Sequence, residues 1–167
     1  MMKAIVSFLI LTFSLSLYGF PGKPTSLFNE DTSQELDLRD SIVGYAQEHL
    51  GTPYKWGGAT TEGFDCTGFV YFVFKKFGIH VSRSSSGFEN FGEKIALDTS
   101  LPGDIMLFTG TDHTNRNVGH AGIVLQNEDG VIDFIHSSSS KKHFGVTITR
   151  YNASGYEKRF LRAIKVL

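Results

Sequence analysis

The chain has 167 residues, 41% of them hydrophobic and 20% charged, which supplies core for one compact domain and excludes a disordered or fibrous protein. Its formal charge of −1 offers no global attraction to nucleic acid or to an anionic membrane. A single cysteine, Cys66, excludes an intrachain disulfide framework.

The N-terminal stretch MMKAIVSFLILTFSLSLYG carries one charge at Lys3, an apolar run from Ala4 to Leu17 and small residues after it, the layout of a secretory signal. Cleavage is expected after Gly19. It takes away Lys3 and no acid, leaving 15 basic and 17 acidic residues and a formal charge of −2. No later segment offers the roughly 20 apolar residues of a membrane span, so no transmembrane segment is expected after signal removal. No cysteine follows the apolar run to accept a lipid. The protein is therefore expected to be exported, to a periplasm or to the outside. In such an oxidising compartment cysteines usually pair, so a solitary thiol reads either as a reactive group or as a small buried hydrophobe.

Residues 20–37, rich in Pro, Gly, Ser, Thr and acids, show no periodicity and are expected to be a flexible leader. The domain is placed at 38–167. Leu38, Ile42, Tyr45, Ala46 and Leu50 recur at helical spacing, with Asp37 or Asp40 as a cap and Gly51 and Pro53 as the stop, which predicts a first amphipathic helix. His49, in its last turn, is read as structural. A second helix is predicted from Cys66 to Phe77, ended by Gly78. Its Phe69, Val70, Val73, Phe74 and Phe77 form one apolar stripe, so it belongs at the centre of the core.

Beyond it come short β-branched runs bounded by turn residues: Ile105–Phe108 after Pro102-Gly103-Asp104, His120–Leu125, Val131–Ser137, Val146–Thr149 and Phe160–Val166. Helices followed by an antiparallel sheet give an α+β fold class.

Cys66 stands at the predicted start of the second helix, where free N–H groups and the helix dipole favour a thiolate and can stabilise an oxyanion. Attack by the sulfur needs a base, and a further group to fix that base's tautomer. His120 opens one predicted strand and His136 ends the next, joined by Asn127-Glu128-Asp129-Gly130, which has tight-turn chemistry. If pairing centres on Glu128, the two histidines face each other directly. If Gly130 is left-handed and Asn127 pairs with Val131, they are diagonal neighbours on one face. Either register holds them roughly 5 to 8 Å apart, whereas an odd register sends them to opposite faces.

Six pieces in one order resemble the NlpC-type cysteine peptidases, papain-like bacterial enzymes that cut peptidoglycan stem peptides. They are Gly51-Thr52-Pro53-Tyr54-Lys55-Trp56-Gly57-Gly58, Gly63-Phe64-Asp65-Cys66-Thr67-Gly68-Phe69-Val70, Arg83-Ser84-Ser85, Pro102-Gly103-Asp104, Val118-Gly119-His120-Ala121-Gly122-Ile123 and Phe134-Ile135-His136-Ser137. The resemblance implies a papain-like fold with helices packed on a central antiparallel sheet. It implies Cys66 as nucleophile, His120 as base and then acid, and His136 as the polar group that orients His120. It also implies Tyr54, Asp65, Arg83 and Ser85 as substrate contacts, peptidoglycan stem peptides as the partner, and neither metal nor cofactor. Asp65 can at the same time cap the second helix. Trp56 is assigned to aromatic core packing.

Two departures from the family pattern stand out. Phe88 occupies a position that commonly holds Gln, three residues beyond Ser85, and a polar loop at 109–117 precedes the His120 strand as a possible rim of the cleft. His113, in that loop, is a weaker alternative base, and His80 and His143 are assigned to the surface. Three other readings stay open: a thiol amidase or acyltransferase on another substrate, a non-catalytic envelope-binding module, and a zinc site built from the cysteine and two histidines, which lacks an evident fourth ligand.

Overall fold

The computed structural model describes residues 30–167, so the signal segment and the first part of the leader lie outside the described residues. Helix α1 spans Glu30–Gln47 and α2 spans Cys66–Lys76. A two-stranded ribbon, β1 (Ala59–Thr60) with β2 (Gly63–Phe64), leads into α2. Six strands make the main sheet: β3 (Glu93–Ile95), β4 (Ile105–Thr109), β5 (Val118–Glu128), β6 (Val131–Ser138), β7 (Gly145–Arg150) and β8 (Phe160–Lys165). Their spatial order is β3-β8-β4-β5-β6-β7, every pair antiparallel. The α+β expectation holds.

Helix α1 begins at Glu30 rather than near Leu38, and so takes in part of the stretch read as flexible leader; it ends at Gln47, three residues short of Leu50. The added turns, EDTSQEL, are largely exposed and carry no apolar period to betray a helix. α1 meets the rest of the domain through Ile42, Ala46 and, unexpectedly, Arg39, which is 2% exposed. Its guanidinium donates to Asp104 Oδ1 (3.0 Å), the Pro102 carbonyl (2.9 Å), Glu35 Oε1 (3.0 Å) and the Leu167 carbonyl (3.2 Å). Asp104 Oδ2 accepts from the Leu101 amide at 2.9 Å. The Pro102-Gly103-Asp104 turn is thus both the entry to β4 and the anchor of α1.

The sheet separates two apolar layers. Phe69, Val70, Val73 and Phe74 of α2 pack with Ile105, Leu107, Ala121, Ile123 and Ile135 on one face. On the other face Met106, Phe108, Val124, Ile132 and Phe134 gather Tyr156 and Phe160. β4 is covered on both sides, which is why its sequence is a continuous apolar run.

Neither anticipated register describes the β5–β6 hairpin from end to end. Glu128 pairs with Val131 across a two-residue turn in which both Asp129 (φ 51°) and Gly130 (φ 80°) are left-handed, as a type I′ turn requires. That register is odd. A bulge at Leu125 inserts one residue, so Val124 pairs with Phe134 and Ile123 with Ile135. The register is even from there on, and His120 and His136 become diagonal neighbours on the Phe108–Phe134 face. Gly122 lies between them. A Cβ on it would come within 2.6 Å of the Phe134 ring and 3.2 Å of His136 Cβ, so only glycine leaves this crossing open.

Candidate active site

Asp65 caps α2 with its side chain, Oδ1 accepting from the Gly68 amide at 2.6 Å, and this sets Cys66 as the first helical residue. The Gly57-Gly58 turn lies directly against that first turn, and a Cβ on Gly68 would collide with the Gly58 carbonyl oxygen. The half-buried Cys66 thiol points at the start of β5. It donates to the Gly119 carbonyl at 3.9 Å and receives a backbone N–H from Ala121, so the residues on either side of His120 both touch the sulfur.

His120 is 7% exposed and His136 1%. His120 Nε2 and His136 Nδ1 are 2.9 Å apart, and His136 Nε2 lies 2.9 Å from the Thr149 hydroxyl. If His136 donates its Nε2–H to Thr149, its Nδ1 is free to accept the Nε2–H of His120. That leaves Nδ1 of His120 as the ring nitrogen without a proton. Thr149 pairs with Phe134 and is therefore a diagonal neighbour of His136 on the same face. It was legible only as a strand residue. Tyr156 was not singled out in the sequence at all. Its hydroxyl lies 3.5 Å from both His120 Nε2 and His136 Nδ1, and its ring packs on both imidazoles and on Phe108 and Phe134.

Burial pushes the Cys66 thiol above its ordinary pKa and the Asp65 carboxylate adds to the shift, outweighing the N–H bonds from Ala121, Thr67 and the helix start. The net direction is opposite to the one a helix N-terminus alone suggests. Burial also holds His120 well below the usual imidazole range, helped by His136 and Arg159. His136 is lowered to about 3, by burial first and then by Arg159 and His143. Both directions favour a protonated thiol and neutral imidazoles at rest.

A stability prediction follows by proton linkage. The unfolded histidines bind protons below about pH 6.5 and the folded ones do not, so the unfolded state gains protons as pH falls. The stability conferred by neutral burial is complete above pH 6.5 and is lost as pH drops toward the folded values. Each histidine adds a slope approaching about 1.4 kcal/mol per pH unit. Urea unfolding at pH 7, 6 and 5 should show the slope, and His136→Gln should reduce it; equal slopes in the two proteins would disprove the linkage.

The cleft in front of Cys66 has a volume of about 360 Å³ and is lined by Tyr54, Trp56, Asp65, Arg83, Ser85 and Gly119 among others. All four residues proposed as substrate contacts therefore meet Cys66 in one cavity, but they are not equally available. Arg83 grips the Asp65 carboxylate with both terminal nitrogens (3.0 and 2.9 Å) and also donates to the Gly57 carbonyl (2.8 Å). Asp65, 14% exposed, is thus occupied by its cap and by Arg83. Tyr54 packs its ring against Phe144 at 5.8 Å, and its phenol pKa is raised by burial and by the neighbouring Cys66 and Asp65.

Trp56 corrects its assignment to the core: it is 89% exposed, on the rim of this cleft. Phe88 is fully buried and lines no part of the cleft. The loop before β5 is fastened by Arg116 donating to the Phe160 carbonyl (3.0 Å) and does not line the cavity; His113 in it and His80 are exposed. Among the described residues, no three His, Cys, Asp or Glu side chains converge as a metal site would require. No helix among them is long and apolar enough to cross a membrane.

Residues 51–165 match the model of the NlpC/P60 family. This chain belongs to the NlpC/P60 family. It is 38% identical over 127 residues to the gamma-DL-glutamyl hydrolase of Bacillus subtilis, a match covering 75% of this chain and 28% of that protein. To the murein DD-endopeptidase MepS/murein LD-carboxypeptidase of Escherichia coli K12 it is 31% identical over 139 residues, covering 83% of this chain and 68% of that one. The crystal structure of an NlpC/P60 family protein from Bacillus cereus superposes with a TM-score of 0.67 at 27% identity, over 77% of this chain and 40% of the other. The chain thus spans under a third of the Bacillus subtilis enzyme and about two thirds of the Escherichia coli one. The papain-like NlpC-type architecture is shared with these family members.

Proposed function

We propose that this NlpC/P60 chain is an exported cysteine peptidase that hydrolyses amide bonds in peptidoglycan stem peptides, at the γ-D-glutamyl to diamino-acid bond or at the cross-link. The observation that carries the reading is the run from Cys66, through the carbonyl of Gly119 next to His120, to the 2.9 Å pair of His120 with His136. The names of the Bacillus subtilis and Escherichia coli relatives support the substrate class.

Chemistry begins from the neutral pair. Because the thiol is bonded to backbone, a small rotation of Cys66 toward His120 precedes attack. His120 Nδ1 then removes the proton as sulfur adds to the carbonyl. The imidazolium that forms is stabilised by its Nε2–H bond to His136 Nδ1, which costs no rearrangement because that bond already exists. Amides at the start of α2 are the available donors for the developing oxyanion, with the Tyr54 hydroxyl beside them. His120 returns its proton to the leaving amine, a thioester remains on Cys66, and water attacks it with His120 again as base. Asp65 and Arg83, locked to each other, shape the acyl side of the cleft and present little free charge. Ser85 and the exposed face of Trp56 are the polar and stacking contacts that remain open to substrate.

Digestion of purified tri- and tetrapeptide muropeptides and cross-linked dimers, with products weighed by mass spectrometry, tests the reading. Release of a diamino-acid fragment or resolution of dimers is expected from the wild type and not from Cys66→Ala. Intact muropeptides after exhaustive incubation with wild type would refute it.

A further inference from the structure

A larger cleft, about 560 Å³, opens on the far side of the imidazole pair, with His136, Thr149 and Tyr156 in its wall. Its other charged or titratable lining groups are Lys142, His143, Arg150 and Arg159, and no carboxylate lines it. Arg150 is already matched by Asp133 through two contacts of 3.0 Å. Lys142 and His143 are exposed. Arg159 sits 4.7 Å over the Tyr156 ring and donates to the Thr109 carbonyl, while its buried Nε has no hydrogen-bond partner among the described residues. Hydroxyls of Ser138 and Ser140 add donors to the wall, while Ser154 already gives its proton to the Tyr151 carbonyl. Such a surface fits an anion with several acceptor oxygens.

The imidazole that protonates the departing amine has to stand on the amine side of the cut bond, and this cavity is walled by His136, the 2.9 Å partner of that imidazole. The segment at 138–144 joins the two cavities: Phe144 packs on Tyr54 beside the nucleophile, while Ser138, Ser140, Lys142 and His143 line the second cleft. Resting on the peptidase reading above, we propose that the second cleft is the subsite for the amine side of the substrate, and that it selects a residue carrying a free carboxylate. Lys142 and Arg159 hold that carboxylate, and the hydroxyls orient it. The cleft in front of Cys66, where Asp65 neutralises Arg83, then takes the acyl side. Carboxylate binding also brings negative charge toward His136, offsetting the cations that depress its basicity.

The test compares two synthetic peptides, L-alanyl-γ-D-glutamyl-L-lysine with a free terminal carboxylate and the same peptide as its terminal carboxamide. Wild type should cleave the first with kcat/KM about tenfold higher, the worth of one charge-assisted hydrogen bond. Lys142→Gln should bring the ratio close to one, and Lys142→Arg should keep it. Equal rates on both peptides in wild type would overturn this inference while leaving the peptidase reading intact.

Failure to cleave either peptide would count against the peptidase reading, and a binding measurement then decides the cleft. By titration calorimetry, Cys66→Ala protein should bind the carboxylate peptide more tightly than the carboxamide, and Cys66→Ala/Lys142→Gln should not. Equal binding of the two by Cys66→Ala overturns the subsite. Inorganic phosphate bound as tightly as the carboxylate peptide would assign the cleft to free anions and overturn the substrate role.

Discussion

Cys66→Ala and His120→Ala are expected to lower kcat for amide cleavage by about 10⁴ or more, because nucleophile and base act as one unit and neither has a substitute. His136→Ala should rank above them, and His136→Asn or His136→Gln above that. An amide oxygen can still accept the Nε2–H of His120, though without the ring's fixed geometry. Thr149→Val, which removes only the acceptor for His136 Nε2–H, should fall closest to wild type. Steady-state rates on one muropeptide give the ranking, and wild-type turnover in His136→Ala would end its orienting role. These variants must be checked for folding, since His120 and His136 lie among Phe108, Phe134 and Tyr156 and are not side chains facing open water. The alanine changes leave cavities there; the Asn and Gln changes leave smaller ones.

The second large effect concerns stability. Arg39 and Asp104 form an ion pair at 3.0 Å with side chains 2% exposed on each partner. Removing Arg39 leaves the Asp104 carboxylate buried without a counter-ion, which in such sites costs about 3–5 kcal/mol, whereas removing Asp104 leaves Arg39 only the more exposed Glu35 as its counter-ion. Urea unfolding should show a loss of that order for Arg39→Ala and a smaller one for Asp104→Ala, in which Glu35 still faces the guanidinium. The double variant Arg39→Met/Asp104→Leu should be more stable than either single one, because no uncompensated charge remains. A loss under about 1 kcal/mol in both single variants would mean that the pair behaves as a solvated surface bridge. Activity per folded molecule should change little, as neither residue lines the Cys66 cleft.

What could be read from the sequence was what repeats or punctuates. The apolar stripe of α2, the Asp65 cap and the five runs now seen as β4 to β8 all follow from periodicity and turn residues. What stayed hidden depends on contacts between distant segments. Arg39 has the look of a solvated helix residue until Asp104, 65 positions later, is folded beneath it. The left-handed pair Asp129 and Gly130 gives an odd hairpin register, and only the Leu125 bulge corrects it, with no marked residue type to announce it. Tyr156 and Arg159 come from a segment of short 3₁₀ turns without a period. Trp56, large and apolar, reads as core until the Gly57-Gly58 turn is seen to carry it outward. Arg83 reads as a substrate contact until its donors are counted against the Asp65 carboxylate and the Gly57 and Gly58 carbonyls.

The raised pKa of Cys66 bears on how well the thiol resists oxidation. Peroxides and disulfides react with thiolate, not with thiol. A sulfur kept protonated by burial and by the Asp65 carboxylate would, on the proposed mechanism, become strongly nucleophilic only as His120 takes its proton. A constitutive thiolate in an oxidising compartment would be converted to sulfenic acid or to a mixed disulfide, with no neighbouring cysteine to rescue it. On that mechanism the burial that raises the thiol pKa also lowers the standing thiolate fraction open to oxidants.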